Sequence, residues 1–336
     1  MTTGLQVIPL PGMGEVGPGA DLAALIASTG ALQDGDVVVV ASKVVAKAEG
    51  RAVAPAQGES TADARRRMTL EEEVLVETPH VVVVRTHHGY VCANAGIDAS
   101  NTGGTDALLL LPADPDASAE GLRSSLAAGL RSSLAAHADV GVVISDTFGR
   151  AWREGQNDVA LGVAGLPALR DERGTVDRDG RELKVTLVAL ADQVAGAADL
   201  VRDKAAGIPV VLVRGLGHLV GTGGSGGGAM LVRPPSTDLF PHGRGWLARR
   251  LATGEGAAVR DGGPTAWEWD LVRRAAAAAV AGPDGGSTPD DAVRLVDGAL
   301  VTAEGRAAGR AESCLLDLGH RAEVSLHEGG YRITAG

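Results

Sequence analysis

Residues 141–158 read GVVISDTFGRAWREGQND. A run of small and β-branched apolar residues stops at Asp146-Thr147, and Arg150, Arg153, Glu154, Gln156 and Asp158 follow within twelve positions. A short continuous apolar run is the mark of a strand buried on both faces. Its end delivers a carboxylate, a hydroxyl and two guanidiniums to one place. In α/β sheets the ends of strands commonly face ligand.

Working outward, the same texture recurs. LQVIPL (5–10), DVVVVASK (36–43), HVVVVRT (80–86), ALLLLP (107–112) and GIPVVLVRG (207–215) read as strands. ADLAALIAST (20–29), TADARRRMTLEEEVLVE (61–77) and ALADQVAGAADLVRDKAA (189–206) read as helices by apolar spacing. Such alternation predicts a mixed α/β architecture. The octapeptide GLRSSLAA stands at 121–128 and again at 129–136. Eight residues is slightly over two helical turns, so both copies fit one helix, longer by about 12 Å for the second.

Beyond about residue 245 the texture changes, and Trp246, Trp267 and Trp269 all lie there. PTAWEWDLVRRAAAAAVAG (264–282) and STPDDAVRLVDGAL (287–300) read as helices, the latter with Thr288 as N-cap and Pro289 in the first turn. ESCLLDL, AEVSLH and YRIT read as short strands. The expected organisation is a main domain over 1–245 and a small α+β extension over 246–336.

The 336 residues carry a formal net charge of −11, which disfavours nucleic acid or an anionic membrane surface as partner. No uncharged apolar run approaches the roughly 18 residues of a membrane helix, and MTTGLQVIPL lacks signal-peptide character. The two cysteines, Cys92 and Cys314, form no framework, so a reducing cytoplasmic setting is expected. Cys92 reads as a small buried hydrophobe. His87 and His88 are adjacent, so on an extended chain they face opposite ways and suit one metal poorly.

Asp98, in NAGIDASNTGGTD, and Asp146 are carboxylates at loop-facing ends of different elements, with Thr147 as a neutral oxygen. Hard divalent cations want such a set. Spacing alone leaves open that Asp98 caps a turn and that Asp146 caps a helix starting at Phe148. Ser42, Lys43, Lys47 and Arg51 follow the strand of ASKVVAKAEGR. If a helix starts there, Lys43 and Lys47 share a face and suit a polyphosphate, or simply a solvated surface. No Walker A pattern is present, and GTGGSGGG (221–228) has no dinucleotide-fingerprint context.

Taken in order, GPGADLAALI, LQDGDVVVVASKVVAKAEGR, VCANAGIDASNTG, ISDTFGRAWREGQNDVALGVAGL, DRDGRELKVTLVALADQVAGAADLV, GIPVVLVRG and VRPPSTDLF resemble the coenzyme F420-0:γ-glutamyl ligases over roughly residues 5–245. The resemblance implies a two-part α/β fold that forms a homodimer. It implies a ligase that uses GTP and a divalent cation, Mg²⁺ or Mn²⁺, with K⁺ as a further cation. The enzyme would join L-glutamate to coenzyme F420-0 through an acyl phosphate and then extend the γ-glutamyl tail. Carried over by motif, Met13, Gly14, Glu15, Val16, Ser42, Lys47 and Asn101 would bind GTP. Asp98 and Asp146 would hold one metal, and Thr147 would help hold a second.

Our own inference adds Arg150 and Arg153, beside Asp146, as catalytic charges that offset acceptor, phosphate or glutamate. The loop VGTGGSGGG (220–228) has no acid where archaeal members often carry one, so substrate oxygens, Glu154 or Asp158 would complete the second metal site. Residues 246–336 are too short for the flavin-binding domain fused to some members. Two other readings stand beside this one: an amide ligase acting on a different carboxylate, and a nucleotide-binding paralogue without activity.

Overall fold

The computed structural model describes residues 4–77, 81–99, 106–134, 137–202, 207–221, 227–234 and 237–238, and four strands nearer the C-terminus. The chain divides into two compact units, Met1–Asp238 and Leu239–Gly336.

The first unit runs β1 (Gln6–Leu10), α1 (Leu22–Ser28), β2 (Val37–Ala41), α2 (Ser42–Ala48), β3 (Ala52–Val53), α3 (Thr61–Thr69), β4 (Glu73–Glu77), β5 (Val82–Arg85), β6 (Val91–Ala93) and β7 (Leu108–Leu109). It continues through α4 (Pro115–Leu134), β8 (Gly141–Arg150), β9 (Arg153–Ala164), β10 (Arg170–Asp171), β11 (Leu187–Val188), α5 (Leu190–Asp199) and β12 (Val210–Arg214). The fold class is mixed α/β, as the sequence predicts.

Five strands form the central sheet in the order β1-β12-β2-β8-β9. Only β2 and β8 pair in parallel, with Ala41 at the C-terminal end of β2 opposite Ser145 in the middle of β8. Val37 to Val40 and Val142 to Ile144 are fully buried because both faces are covered. Leu22 and Ile26 of α1, Val45 of α2, and Ala119 and Leu126 of α4 pack on one face. Ala191, Val194, Ala195 and Ala198 of α5 pack on the other. With few aromatics available, a valine-rich sheet covered by alanine-faced helices fills the core. At the opposite end from the parallel strand termini, buried Asp36 accepts two bonds from Arg214, at 2.8 and 2.9 Å.

A second sheet, β4-β5-β6, packs with α3 around Ala64, Val82, Val84, Ala95, Ile97 and Leu108. Asp98 joins β7 through reciprocal bonds with Leu109, at 3.0 and 2.8 Å. The tandem octapeptides do share one helix, α4, as far as Leu134, but their environments differ. Leu126 in the first copy is 2 % exposed and Leu134 in the second is 53 % exposed.

In the first unit three sequence expectations change. The strand of 141–146 does not end at Asp146-Thr147. It continues to Arg150, turns at Ala151-Trp152 and returns as β9, a long hairpin on the sheet's edge. Neither does a helix start at Phe148. The helix expected over 61–77 stops at Thr69, and Glu73–Glu77 forms β4, with Leu75 buried between half-buried Val74 and Val76.

The second unit contains β13 (Val293–Val296), β14 (Ala299–Thr302), β15 (Ala322–His327) and β16 (Gly330–Ala335), all antiparallel in the order β13-β14-β16-β15. The helix expected over 287–300 is therefore a strand pair over 293–302. Its two strands are separated by Asp297-Gly298, a preferred two-residue hairpin sequence. The helix expected at 264–282, the strand at ESCLLDL, Thr288, Pro289 and the three tryptophans lie outside the described residues.

Candidate functional site

Parallel pairing places the C-terminal end of β2 beside Ser145 of β8, and α2 begins directly after β2. This brings Ser42 beside Asp146. The Ser42 side chain, 4 % exposed, hydrogen-bonds the Asp146 carboxylate. The Thr147 backbone N–H donates to Asp146 Oδ1 at 2.9 Å. Burial pushes Asp146 up to about 6, the nearby charges of Asp158 and Asp98 push the same way, and the two hydrogen bonds partly offset them. Asp98 and Asp146, remote in sequence, thus lie within electrostatic reach of each other.

Two lysines of α2 complete this corner. Lys43 is ion-paired with Asp98. One turn on, Lys47 donates to Glu15 Oε1 at 2.5 Å. Glu15 belongs to the loop between β1 and α1, whose far end is tied to α2 by Gly19 N–H donating to Ala48 C=O at 2.7 Å. In that loop Met13 and Val16 are each 5 % exposed and anchor it in the core. Gly14 between them has φ +68°, a left-handed conformation that suits glycine. Of the loop residues expected to touch nucleotide, Glu15 therefore presents its side chain outward, whereas Met13 and Val16 offer only backbone. Asn101 lies outside the described residues.

Thr147 follows Asp146 on an extended strand and so faces the other side of the sheet. Its hydroxyl donates to Asp158 Oδ1 at 2.7 Å. Asp158 is fully buried, accepts from Ser145 Oγ at 3.0 Å, and is ion-paired with Arg202. It is thus already engaged in a buried network. No sequence pattern marked Arg202 as its partner, because a single arginine after a helix has no signature.

Arg150 and Arg153 flank the hairpin turn and are exposed. Arg150 Nη2 donates to Glu154 C=O at 2.6 Å, across the turn. Four strand positions separate Arg150 from Asp146, about 13 Å at 3.3 Å per residue. Within the chain, then, neither guanidinium is gathered to the Asp146 carboxylate.

His87 and His88 sit in a turn rather than on a strand, with ring centroids 3.9 Å apart. His87 is bonded to Glu72 at 2.7 Å and His88 to Ala113 C=O at 3.1 Å. Cys92 is buried as expected, and burial pushes its thiol up to about 12, away from nucleophilic use.

Among the described residues no three His, Cys, Asp or Glu side chains gather as a complete metal cage. What is present is a half-buried carboxylate, Asp146, with a raised affinity for its proton, a second carboxylate near it, and a serine oxygen. That donor set fits a hard divalent cation that takes its remaining ligands from phosphate and water. No helix among the described residues is long and apolar enough to cross a membrane.

Comparison with known proteins gives a consistent result. The family model described as F420-0:Gamma-glutamyl ligase matches residues 12–215. The coenzyme F420:L-glutamate ligase of Methanopyrus kandleri is 40% identical over 252 residues, covering 70% of this chain and 97% of its own. That of Halobacterium salinarum is 42% identical over 230 residues, covering 62% and 87% respectively. That of Natronomonas pharaonis is 41% identical over 230 residues, covering 62% and 86%. The matched span contains the loop before α1, the Ser42–Lys47 helix, Asp98 and Asp146 of β8, and the chain belongs to the F420-0:gamma-glutamyl ligase family.

Proposed function

We propose that the protein joins L-glutamate to coenzyme F420-0 with GTP as co-substrate. The observation that carries this reading is the Asp146 corner. A carboxylate with a raised pKa sits on β8 just past the last residue paired with β2, bonded by Ser42 and near Asp98, next to Lys43 and Lys47, in a chain of this ligase family.

A carboxylate is a poor electrophile and must be activated before an amine can attack it. The γ-phosphoryl group of GTP passes to the terminal carboxylate of F420-0, giving an acyl phosphate and GDP. The glutamate amine then attacks the acyl carbon, the C–O bond to phosphate breaks, an amide forms and one proton is released. Such transfers need positioning and charge neutralisation rather than a covalent protein group. This agrees with the high pKa of Cys92 and with Ser42 being bonded to a carboxylate rather than to a histidine.

Lys43 and Lys47 are one helical turn apart and offer two ammonium groups to a triphosphate. Glu15 and Asp98 hold those ammoniums in the absence of nucleotide. Asp98 and Asp146 would hold one Mg²⁺ or Mn²⁺, which would neutralise phosphate charge. The Thr147 hydroxyl donates its proton to Asp158, which leaves its lone pairs for a second cation on its own face. Arg150 and Arg153 would act on substrate only where substrate reaches the hairpin tip. A homodimer and a K⁺ ion belong to the same proposal.

The test is direct. Purified protein is incubated with F420-0, GTP, L-glutamate and Mn²⁺ and the product read by mass spectrometry. Appearance of F420 carrying glutamate, together with GDP and phosphate, is expected. GTP binding without any conversion would overturn the proposal in favour of a non-catalytic nucleotide-binding protein.

A further inference from the structure

A cavity of about 270 Å³ opens on the edge of the central sheet, beside the Asp146 corner. Phe148 and Val159 form part of its wall. Val159 is the direct cross-strand partner of Asp146, and Phe148 lies two residues further along the same face of β8. The cavity therefore begins one side chain away from the proposed reaction centre. Its volume lies below the range of pockets that hold drug-sized ligands, and suits an amino acid rather than a nucleotide.

Four charged side chains line it: Arg85, Arg233, Asp192 and Asp238. Arg85 and Asp238 are bonded to each other at 2.7 Å, and Arg85 also reaches Glu73 at 2.8 Å, so this pair forms a fixed wall. Arg233 is exposed and bonds the Thr237 carbonyl at 3.3 Å, with no carboxylate partner among the described residues. Asp192 Oδ1 accepts from Ala160 N–H on the free edge of β9 at 2.9 Å, and among the described residues no bond engages its other oxygen. Burial raises the Asp192 pKa, so a cation beside it would relieve a cost already present.

The loop bearing this wall is clamped from below. Asp116 accepts from Gly228 N–H at 2.6 Å and Ala229 N–H at 3.1 Å, and from Val163 N–H of β9 at 2.8 Å. A Cβ at Gly228 would lie 2.2 Å from the Leu161 carbonyl oxygen, so only glycine permits this close approach.

We propose that this cavity is the subsite for the incoming amino acid, with Arg233 taking a carboxylate of L-glutamate and Asp192 its ammonium. The inference rests on the reading of the protein as a glutamate ligase. A guanidinium–carboxylate pair supplies charge-assisted, directional bonds. Asp192, anchored at Ala160, holds the nitrogen on the edge strand next to Val159, and so toward the acyl carbon activated beside Asp146.

The experiment measures KM for glutamate, GTP and F420-0 in the wild type and in Arg233→Gln and Asp192→Asn. Arg233 is exposed, and asparagine keeps an acceptor for Ala160 N–H, so both variants are expected to fold, which circular dichroism checks. Each should raise the glutamate KM by about tenfold or more, the loss of one charge-assisted contact, with the GTP and F420-0 values unchanged. Arg233→Lys, which keeps the charge, should recover part of the loss. If wild type ligates glutamate and both variants keep its glutamate KM, the subsite assignment is wrong while the proposed activity stands. If the wild type shows no ligation at all, it is the proposed activity that fails.

Discussion

Asp146 and Thr147 are consecutive, yet their side chains are claimed from opposite faces of β8. Asp146 is bonded by Ser42 on the α2 side, and Thr147 donates to Asp158 at 2.7 Å on the α5 side. This part of β8 thus presents oxygen to both faces of the sheet at one level. Each face can be tested separately.

Asp146→Asn should abolish ligation, by at least about a hundredfold if the cation it holds is needed for phosphoryl transfer. The variant should remain folded, because burial penalises the native carboxylate in the cation-free protein. Its melting temperature without added metal should equal or exceed that of wild type, a gain of order 1 kcal/mol. A variant that keeps near-full activity would remove Asp146 from the cation site.

The pH dependence has a defined sign. The pKa of Asp146 rises from 3.8 to about 6 on folding. The proton on this group therefore favours the folded state at low pH, and that contribution is lost as pH rises toward 6. A divalent cation must displace the same proton. Stabilisation by Mn²⁺ in thermal shift should thus be large at pH 7.5 and weaken steadily below pH 6. An equal shift at pH 5 and 7.5 would contradict this.

On the other face, Asp158→Ala should be far more damaging to stability than its charge alone suggests. It leaves Arg202, 6 % exposed, as an uncompensated buried cation. The expected loss is about 3–5 kcal/mol. Thr147→Val removes one bond to a carboxylate and should cost about 1–2 kcal/mol. Urea denaturation measures both, and similar losses from the two variants would argue against the network as described.

Asp116 should couple stability to substrate use. Asp116→Ala strips the acceptor from three backbone N–H groups, two of them part-buried, and an expected loss of roughly 1–3 kcal/mol follows from leaving those donors unpaired. The loop carrying Arg233 should loosen with it. Faster amide exchange at Gly228 and Ala229, with the Lys47 region unchanged, is the expected pattern in hydrogen-exchange measurements.

The core strands were legible because burial on both faces leaves no room for polar residues. Val37–Val40 and Val210–Val213 read as unbroken apolar runs for that reason. The hairpin beyond Asp146 was not legible. Once it leaves the sheet core, both of its faces meet solvent, and strand residues such as Arg153, Glu154 and Gln156 look like loop. The strands at 293–302 were hidden differently, since PDDAVRLV spaces its apolar residues equally well for a helix. Of the candidate site, the acids and lysines were visible as residue types at strand ends. Their pairing was not, because Lys43 with Asp98 and Lys47 with Glu15 depend on loops brought together only by the folded sheet. The Asp192–Arg233 cavity had no local signature, since its walls come from segments far apart in the chain.

The doubled octapeptide in α4 has one last implication. Identical words in a helix do not receive identical surroundings: eight residues advance the chain by about 80° beyond two full turns. Leu126 therefore meets the core while its copy, Leu134, meets water. The second copy still packs through half-buried Leu130 and through Arg131, which donates to the Ala138 carbonyl at 3.0 Å, but it gives the core less than the first does through Leu126 and Ala127.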